Sequence, residues 1–229
     1  MLLTVLIPVA ILGVLVLAAV LFFQRGAGGI DASPRSLLRV YLYLGSLVAI
    51  LVFVWGLSLT GTGILGAIAP EFTYGQSPVA RPLPEPAPPE SCPPGKCPQT
   101  PEDAAGQQRT GWERQTRENL LQGVTSTVAG ALFWGVHWYG RRQIETQQER
   151  SGLLRRGYYL LGVVIFGVAS IVLLPVAVYN ALRYFLIPLG QFDYRPGVGE
   201  SLAAALVVVP IWLTYLRIVL NDVRRSTTA

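Results

Sequence analysis

Histidine occurs once among the 229 residues, at His137, and this single imidazole limits the chemistry that the chain could carry out. A zinc site, a Ser-His-Asp triad and bis-histidine haem ligation all need more partners than one histidine supplies. One imidazole could still ligate the magnesium of a chlorophyll-type pigment or hydrogen-bond a quinone; the alternative is a polar interface residue beside Trp138 and Tyr139. We therefore predict no catalytic residue, no metal site and no obligatory cofactor. His137 is the candidate ligand for a pigment or quinone, and lipid is a further candidate for a bound group.

The two cysteines, Cys92 and Cys97, bracket a Pro-Pro-Gly-Lys spacer that is short enough to bring the two thiols together in a turn. Their spacing is neither the redox C-x-x-C pattern nor the haem-attachment C-x-x-C-H pattern, and metal binding would need further ligands. The pattern predicts a disulfide between Cys92 and Cys97.

Three charged side chains, Glu118, Arg183 and Glu200, fall near the ends of apolar segments. Glu118 and Glu200 come just before such segments, where a carboxylate complements the positive end of a helix dipole. Arg183 should reach the outer membrane interface and pair there with Glu118, Glu200 or Asp193. We predict structural charge pairs at the interface and no substrate ligands among them.

The elements that must position these residues are apolar segments, each with about the 20 residues that a helix needs to cross a bilayer core of ~30 Å. Charged residues make up 14% of the chain, against about 25% in an ordinary soluble domain. We predict an all-α integral membrane protein with five transmembrane helices. The five segments span roughly residues 2–23, 40–69, 119–140, 157–189 and 201–220.

The distribution of basic residues between alternate loops predicts the orientation of the helices. Residues 24–39, 141–156 and 221–229 carry ten basic residues in 41, whereas residues 70–117 and 190–200 carry six in 59. Because loops rich in arginine and lysine stay in the cytoplasm, we expect the amino terminus outside and the carboxyl terminus inside. The predicted location is the bacterial cytoplasmic (inner) membrane.

The longest predicted loop, residues 70–117, contains 11 of the 17 prolines and both cysteines. Such a run of prolines favours an extended path and disfavours a regular helix or sheet. The predicted orientation puts this loop on the exoplasmic, oxidising side, which agrees with a disulfide.

Small residues recur on one face of the third apolar segment and predict close helix packing. In lipid the hydrophobic effect does not drive helices together, so their association depends on van der Waals packing. A helix face of small residues favours such packing because it lets two backbones approach closely. The four positions, each four residues from the next, are Gly123, Thr127, Ala131 and Gly135.

Internal repetition predicts two parallel two-helix units that follow an additional first helix. Leu37-Leu38-Arg39 with Tyr41 and Tyr43-Leu44-Gly45 recurs as Leu153-Leu154-Arg155 with Tyr158, Tyr159 and Leu161-Gly162. The predicted divisions are an amino-terminal helix and linker (1–36), a first unit (37–69 and 118–142), a proline-rich loop (70–117) and a second unit (153–225).

This pattern of an arginine followed by Tyr-x-Tyr-Leu, with arginine-rich turns closing the next helix, resembles an uncharacterised family of bacterial multi-pass membrane domains. The resemblance covers roughly residues 37–225. Because that family has no assigned chemistry, the resemblance implies an architecture and no catalytic residue.

These patterns together predict a non-catalytic accessory or scaffolding subunit of a larger bacterial membrane complex, of the electron-transfer (quinol-oxidising) or photosynthetic kind. The expected partners are other membrane subunits and the lipid bilayer. Nucleic acid is not expected, because the basic residues lie at helix ends and form no stripe. The alternative is a stand-alone small transporter or channel, for which Asn180 and the stretch from Thr60 to Thr62 are the best polar candidates.

Overall fold

The computed structural model describes residues 34–76, 101–145, 153–186 and 195–227, and these residues are predominantly α-helical. The predicted first segment, residues 2–23, and the cysteine pair Cys92 and Cys97 lie outside the described residues. In chain order the elements are α1 (Pro34–Ile68), α2 (Pro70–Tyr74), β1 (Gly75–Gln76), α3 (Pro101–Ile144), α4 (Leu153–Leu186), β2 (Arg195–Pro196) and α5 (Gly199–Thr227).

Three of the helices are long and apolar enough to cross a membrane, namely α1, α4 and α5, over Arg35–Ile68, Leu154–Leu186 and Gly199–Arg225. Helical geometry is expected there, because a helix satisfies its backbone hydrogen bonds internally where lipid supplies no partners. The prediction of a helical membrane protein is confirmed at this level. Helix α3 carries the predicted segment 119–140 and is not among these three helices.

Helix α3 begins at Pro101, so residues 101–117, which we predicted as part of a proline-rich loop, are helical. Proline is compatible with the first turn of a helix, where the missing N–H has no helical partner in any case. No further proline follows until Pro175, and most polar residues over 102–118 are glutamate, glutamine or arginine, which are good helix formers. A salt bridge of 2.9 Å between Arg114 Nε and Glu118 Oε1, one turn apart, adds to this extension.

The described chain divides into two compact units, and each long helix contributes to both. The described residues of the first unit are 34–54, 128–145, 153–165 and 214–227. Its buried residues include Leu42, Tyr43, Leu47, Tyr158 and Tyr215. Within it the Arg35 guanidinium donates from Nη2 to the Ile144 carbonyl oxygen at 3.0 Å, which caps the carboxyl end of α3.

The described residues of the second unit are 55–76, 101–127, 166–186 and 195–213. Here β1 and β2 form a two-residue antiparallel pair in which Gly75 faces Pro196 and Gln76 faces Arg195. Gly75 has a φ of 82°, which a residue with a side chain rarely adopts. The Val198 amide donates to the Phe72 carbonyl oxygen at 2.8 Å, and Val198 is fully buried. These contacts join the short helix α2 to the start of α5.

Candidate functional site

A cleft of about 220 Å³ lies in the first unit, between the carboxyl end of α3, the amino end of α4 and one turn of α1. We call it the arginine–aromatic cleft. Its lining consists of Tyr43 from α1, Trp138, Arg141, Arg142 and Glu145 from the end of α3, and Arg155 and Tyr159 from α4. Three guanidinium groups face one carboxylate, so the lining is positively charged.

The guanidinium groups of the cleft lie over aromatic rings. The Arg141 guanidinium carbon is 4.7 Å from the centre of the Tyr43 ring and 5.1 Å from that of Tyr158. The corresponding distance from Arg142 to the Trp138 ring is 3.9 Å, and that from Arg155 to the Tyr159 ring is 5.6 Å. Such contacts orient the guanidinium planes without satisfying their N–H donors.

Tyrosine rings form the wall behind Arg141. The centres of the Tyr43 and Tyr158 rings are 5.4 Å apart, and those of Tyr158 and Tyr159 are 5.3 Å apart. The Tyr158 hydroxyl is hydrogen-bonded to the Tyr215 hydroxyl at 3.0 Å. The aromatic wall is therefore internally connected and holds Arg141 from one side.

Two polar atoms of the cleft residues are buried without a partner. Among the described residues, neither Arg141 Nε nor Glu145 Oε1 has a hydrogen-bond partner. Buried polar atoms in native proteins are nearly always hydrogen-bonded, so each such exception calls for a physical explanation. The lining therefore combines excess positive charge, a donor without an acceptor and an acceptor without a donor.

Sequence reasoning did not find this cleft. It assigned the arginines to membrane topology, which is an ordinary role for that residue type, and it used the tyrosines in the repeat pattern. The available signal was that arginine and tyrosine recur together at the starts of the two predicted repeats. Only the packing of α1 against α3 and α4 brings those groups together.

His137 lies on α3 with its ring against the backbone of α1. A Cβ atom at Gly45 would overlap the ring, with Nε2 as the nearest atom. The Nδ1 atom is 2.7 Å from the Phe133 carbonyl oxygen, and it donates because a carbonyl can only accept. The Nδ1 atom is thus used in a hydrogen bond within α3, and the Nε2 atom faces Gly45. Its predicted role as a pigment or quinone ligand stays a prediction.

The predicted small-residue face is divided by the structure. Gly123 and Thr127 lie against α1 in the second unit, where a Cβ at Gly123 would stand 2.5 Å from the Thr60 amide nitrogen. Ala131 is exposed, and no described atom lies within 4 Å of the position that a Cβ of Gly135 would take. In the first unit Gly130 makes the close contact instead. Since a step of four residues rotates about 40° beyond a full helical turn, the face drifts away from α1 along its length.

The predicted charge pairs around Arg183 differ from those observed. Glu118 pairs with Arg114 on its own helix, because one helical turn separates the two residues. Among the described residues no ion pair joins Arg183 to Glu118 or Glu200, and Asp193 lies outside those residues. Glu200 lies in the first turn of α5, where the helix dipole favours a carboxylate.

Metal-ligating side chains do not gather within the part of the chain that the structure describes: no group of three or more His, Cys, Asp or Glu residues converges there. The predicted disulfide between Cys92 and Cys97 falls outside that part and stays a prediction.

Long apolar helices define a helical membrane protein, and comparison with known families adds one relationship. Residues 102–195 match a family described as a domain of unknown function (DUF5671). The match spans most of α3 and all of α4, and it is shorter than the predicted range of 37–225. It confirms the predicted resemblance to an uncharacterised family without assigned chemistry. No curated protein and no solved structure matches the chain.

Proposed function

We propose that this chain is a non-catalytic accessory subunit whose helix α3 packs against a transmembrane helix of a partner protein. The observation that carries this proposal is the uncovered pair of small residues Ala131 and Gly135, one helical turn apart on α3. Gly123 and Gly130, two further small residues in the apolar part of α3, are already occupied by contacts within the chain.

Helix α3 would serve as a further membrane span, although its polar amino-terminal extension distinguishes it from α1, α4 and α5. Its segment 119–140 exposes large apolar side chains, among them Leu121 at 75%, Leu132 at 65% and Val136 at 66%. A continuous exposed apolar surface of this kind is costly in water and favourable against lipid or another apolar helix.

Partner helices favour small residues because close backbone approach increases van der Waals contact, which drives helix association in lipid. Ala131-x-x-x-Gly135 has the small-xxx-small spacing of such contacts. Lipid chains could also cover this face, but they make less van der Waals contact with a flat surface of small residues than a second helix does. The spacing therefore favours a protein partner, and the predicted type of complex stays a prediction from the sequence.

The two-repeat architecture draws support from two matching contacts in the first unit. Gly45 on α1 receives the His137 ring of α3, and Gly162 on α4 receives the Tyr215 ring of α5. In each case the glycine follows a leucine near the start of the first helix of a pair. We propose on this basis that α1 with α3 and α4 with α5 are repeated units, preceded by a fifth transmembrane helix.

The alternative of a stand-alone transporter or channel relies on polar groups that are satisfied inside the chain. The Thr60 and Thr62 hydroxyls donate to the carbonyl oxygens of Gly56 and Ser58 at 2.9 and 3.0 Å. The Asn180 side-chain amide donates to Ser201 Oγ at 3.3 Å. Hydroxyl groups bonded back to their own helix offer little to a passing solute, so the accessory-subunit proposal is favoured.

The proposal is tested by extracting the tagged chain from its native membranes in a mild detergent and identifying co-purifying chains by mass spectrometry. We expect a defined set of membrane proteins in stoichiometric amounts. Gly135→Leu should remove them, because a leucine side chain separates the helices. The matched control is Gly111→Leu on the same helix, where a Cβ also meets no described atom within 4 Å.

A monodisperse lone wild-type protein would contradict the proposal, and so would equal recovery of partners by Gly135→Leu. Unfolding of either variant would not explain a loss of partners, because a Cβ at Gly111 or Gly135 meets no described atom within 4 Å and replacing a helical glycine by leucine raises helix propensity by roughly 1 kcal/mol. Unfolding temperatures of both variants should therefore equal or exceed that of the wild type.

A further inference from the structure

We infer that the arginine–aromatic cleft binds the phosphate ester of an anionic membrane lipid. The inference is independent of a partner subunit, because all the lining residues belong to one unit of this chain. It rests on charge, on the unmet hydrogen-bonding capacity of the cleft and on its position along the helices.

The excess positive charge of the cleft lining favours an anionic ligand. Arg141, Arg142 and Arg155 line the cleft together with a single carboxylate, that of Glu145. Guanidinium groups stay protonated at all physiological pH values and match the oxygens of a phosphate with several donors at once. Arg142 and Arg155 also interact within the chain. Their charge nevertheless remains in the lining, where it attracts an anion by Coulomb forces.

The unsatisfied hydrogen-bonding atoms of the cleft narrow the chemical class of the ligand. Arg141 Nε is a buried donor without a partner among the described residues, although the aromatic rings of Tyr43 and Tyr158 hold its guanidinium in place. A phosphate oxygen would supply the missing acceptor. The Glu145 carboxylate interacts with the Tyr43 hydroxyl, but its buried Oε1 atom has no hydrogen bond in the same part of the chain, and a headgroup hydroxyl would supply a further donor. A phosphoglycerol headgroup carries both groups.

Position points to a lipid as the source of the phosphate. Arg155 is the second residue of the candidate span Leu154–Leu186, and Arg141 and Arg142 follow the apolar segment of α3. The ends of spanning helices lie at the depth of lipid headgroups, where tryptophan and tyrosine are also favoured. Trp138, Tyr43 and Tyr159 complete such a site by packing beside the upper part of a lipid chain.

The test measures lipid binding by the full-length chain, purified in a mild detergent, with native mass spectrometry. Phosphatidylglycerol and phosphatidylcholine are titrated separately, and glycerol 3-phosphate and inorganic phosphate serve as soluble arms. We expect selective retention of phosphatidylglycerol. Arg155→Gln should weaken that binding about tenfold, as expected for loss of one charge-assisted contact.

The matched control is Arg156→Gln. Arg156 is the exposed neighbour of Arg155 on α4 and lies outside the cleft lining. Its substitution changes the net charge of the protein by the same amount as Arg155→Gln. It should leave binding within about twofold of the wild type. Arg142→Gln gives a second cleft variant at an exposed position in case Arg155→Gln fails to fold. Glu145→Gln should leave the binding of phosphatidylglycerol unchanged or strengthen it, because the substitution removes a negative charge while retaining an acceptor oxygen.

The outcomes separate the possible sources of the phosphate. Selective lipid binding that Arg155→Gln weakens and Arg156→Gln does not would support the lipid site. Equal binding of glycerol 3-phosphate or inorganic phosphate with the same dependence on the variants would overturn the lipid as the source. Equal loss in Arg155→Gln and Arg156→Gln, or no preference for phosphatidylglycerol, would overturn the site itself.

Discussion

The hydroxyl oxygens of Tyr158 on α4 and Tyr215 on α5 lie 3.0 Å apart in a buried position within the first unit. The Tyr215 ring also occupies the space beside Gly162, where a Cβ atom would overlap it. One glycine and one hydrogen bond thus align these two helices. The same aromatic cluster forms the wall on which Arg141 rests.

Removing this hydrogen bond should destabilise the protein modestly. We expect Tyr215→Phe to lower the free energy of unfolding by about 1 kcal/mol, the usual size of a hydrogen bond between helices in a membrane. The double variant Tyr158→Phe/Tyr215→Phe should cost less than the sum of its single variants, because both remove the same bond. Unfolding in detergent measures these energies, and Tyr179→Phe, at an exposed tyrosine of α4, is the control. Strictly additive losses would rule out the coupling.

Adding a methyl group at Gly45 should force the His137 ring out of its place. We expect Gly45→Ala to lower the free energy of unfolding by about 1–3 kcal/mol, as for other overpacked sites. Adding His137→Ala to that variant should restore a large part of the loss, since it removes the overlapping ring. Thermal unfolding of the wild type and the three variants gives the coupling, and the absence of any rescue would refute the contact.

Two glycines of α3 that look alike in the sequence should respond oppositely to alanine. A Cβ at Gly130 would lie 2.5 Å from the Phe53 amide nitrogen, and backbone atoms cannot move aside cheaply. Gly130→Ala should therefore lower the free energy of unfolding by about 1–3 kcal/mol. Gly135→Ala should be neutral or stabilise by up to about 1 kcal/mol through helix propensity. Unfolding midpoints of the two variants test this order of stability, and a Gly130→Ala variant that is more stable than Gly135→Ala would contradict it.

Tyr74 connects α2 to α3 within the second unit, because its hydroxyl oxygen accepts hydrogen bonds from Thr116 Oγ1 at 3.1 Å and Asn119 Nδ2 at 3.3 Å. Tyr74→Phe should therefore accelerate amide hydrogen exchange over Pro70–Tyr74, with little change in the first unit. Tyr139→Phe, at an exposed position of α3, is the control. Unchanged exchange in α2 would show that these bonds contribute nothing to its order.

Orientation can be tested through the two cysteines. With an exoplasmic loop, a membrane-impermeant maleimide should label Cys92 and Cys97 in intact cells, and only after reduction of the predicted disulfide. A Ser226→Cys reporter in a Cys92→Ser/Cys97→Ser background should be labelled only after permeabilisation. The reverse pattern would invert the predicted topology, and labelling without reduction would exclude the disulfide.

Much of the fold follows from composition along the chain. Long uncharged runs predict helices wherever lipid replaces water, and α1, α4 and α5 agree with that expectation. The start of α3 was harder to predict, since the prolines before residue 101 obscured the polar helix formers after it. The choice among glycines was harder still, because Gly130 and Gly135 differ only in which face of α3 meets α1.

The sequence by itself determined the helical membrane class, because the length of an apolar run and its lack of charge depend only on consecutive residues and require no tertiary contact. Tertiary structure alone decided the surroundings of Arg141, whose guanidinium rests on Tyr43 from α1 and Tyr158 from α4. Those residues are far apart along the chain, and van der Waals packing at glycine contacts brings them together. The positively charged cleft is a product of that packing, since the recurrence of arginine with tyrosine in the sequence does not show which helices meet.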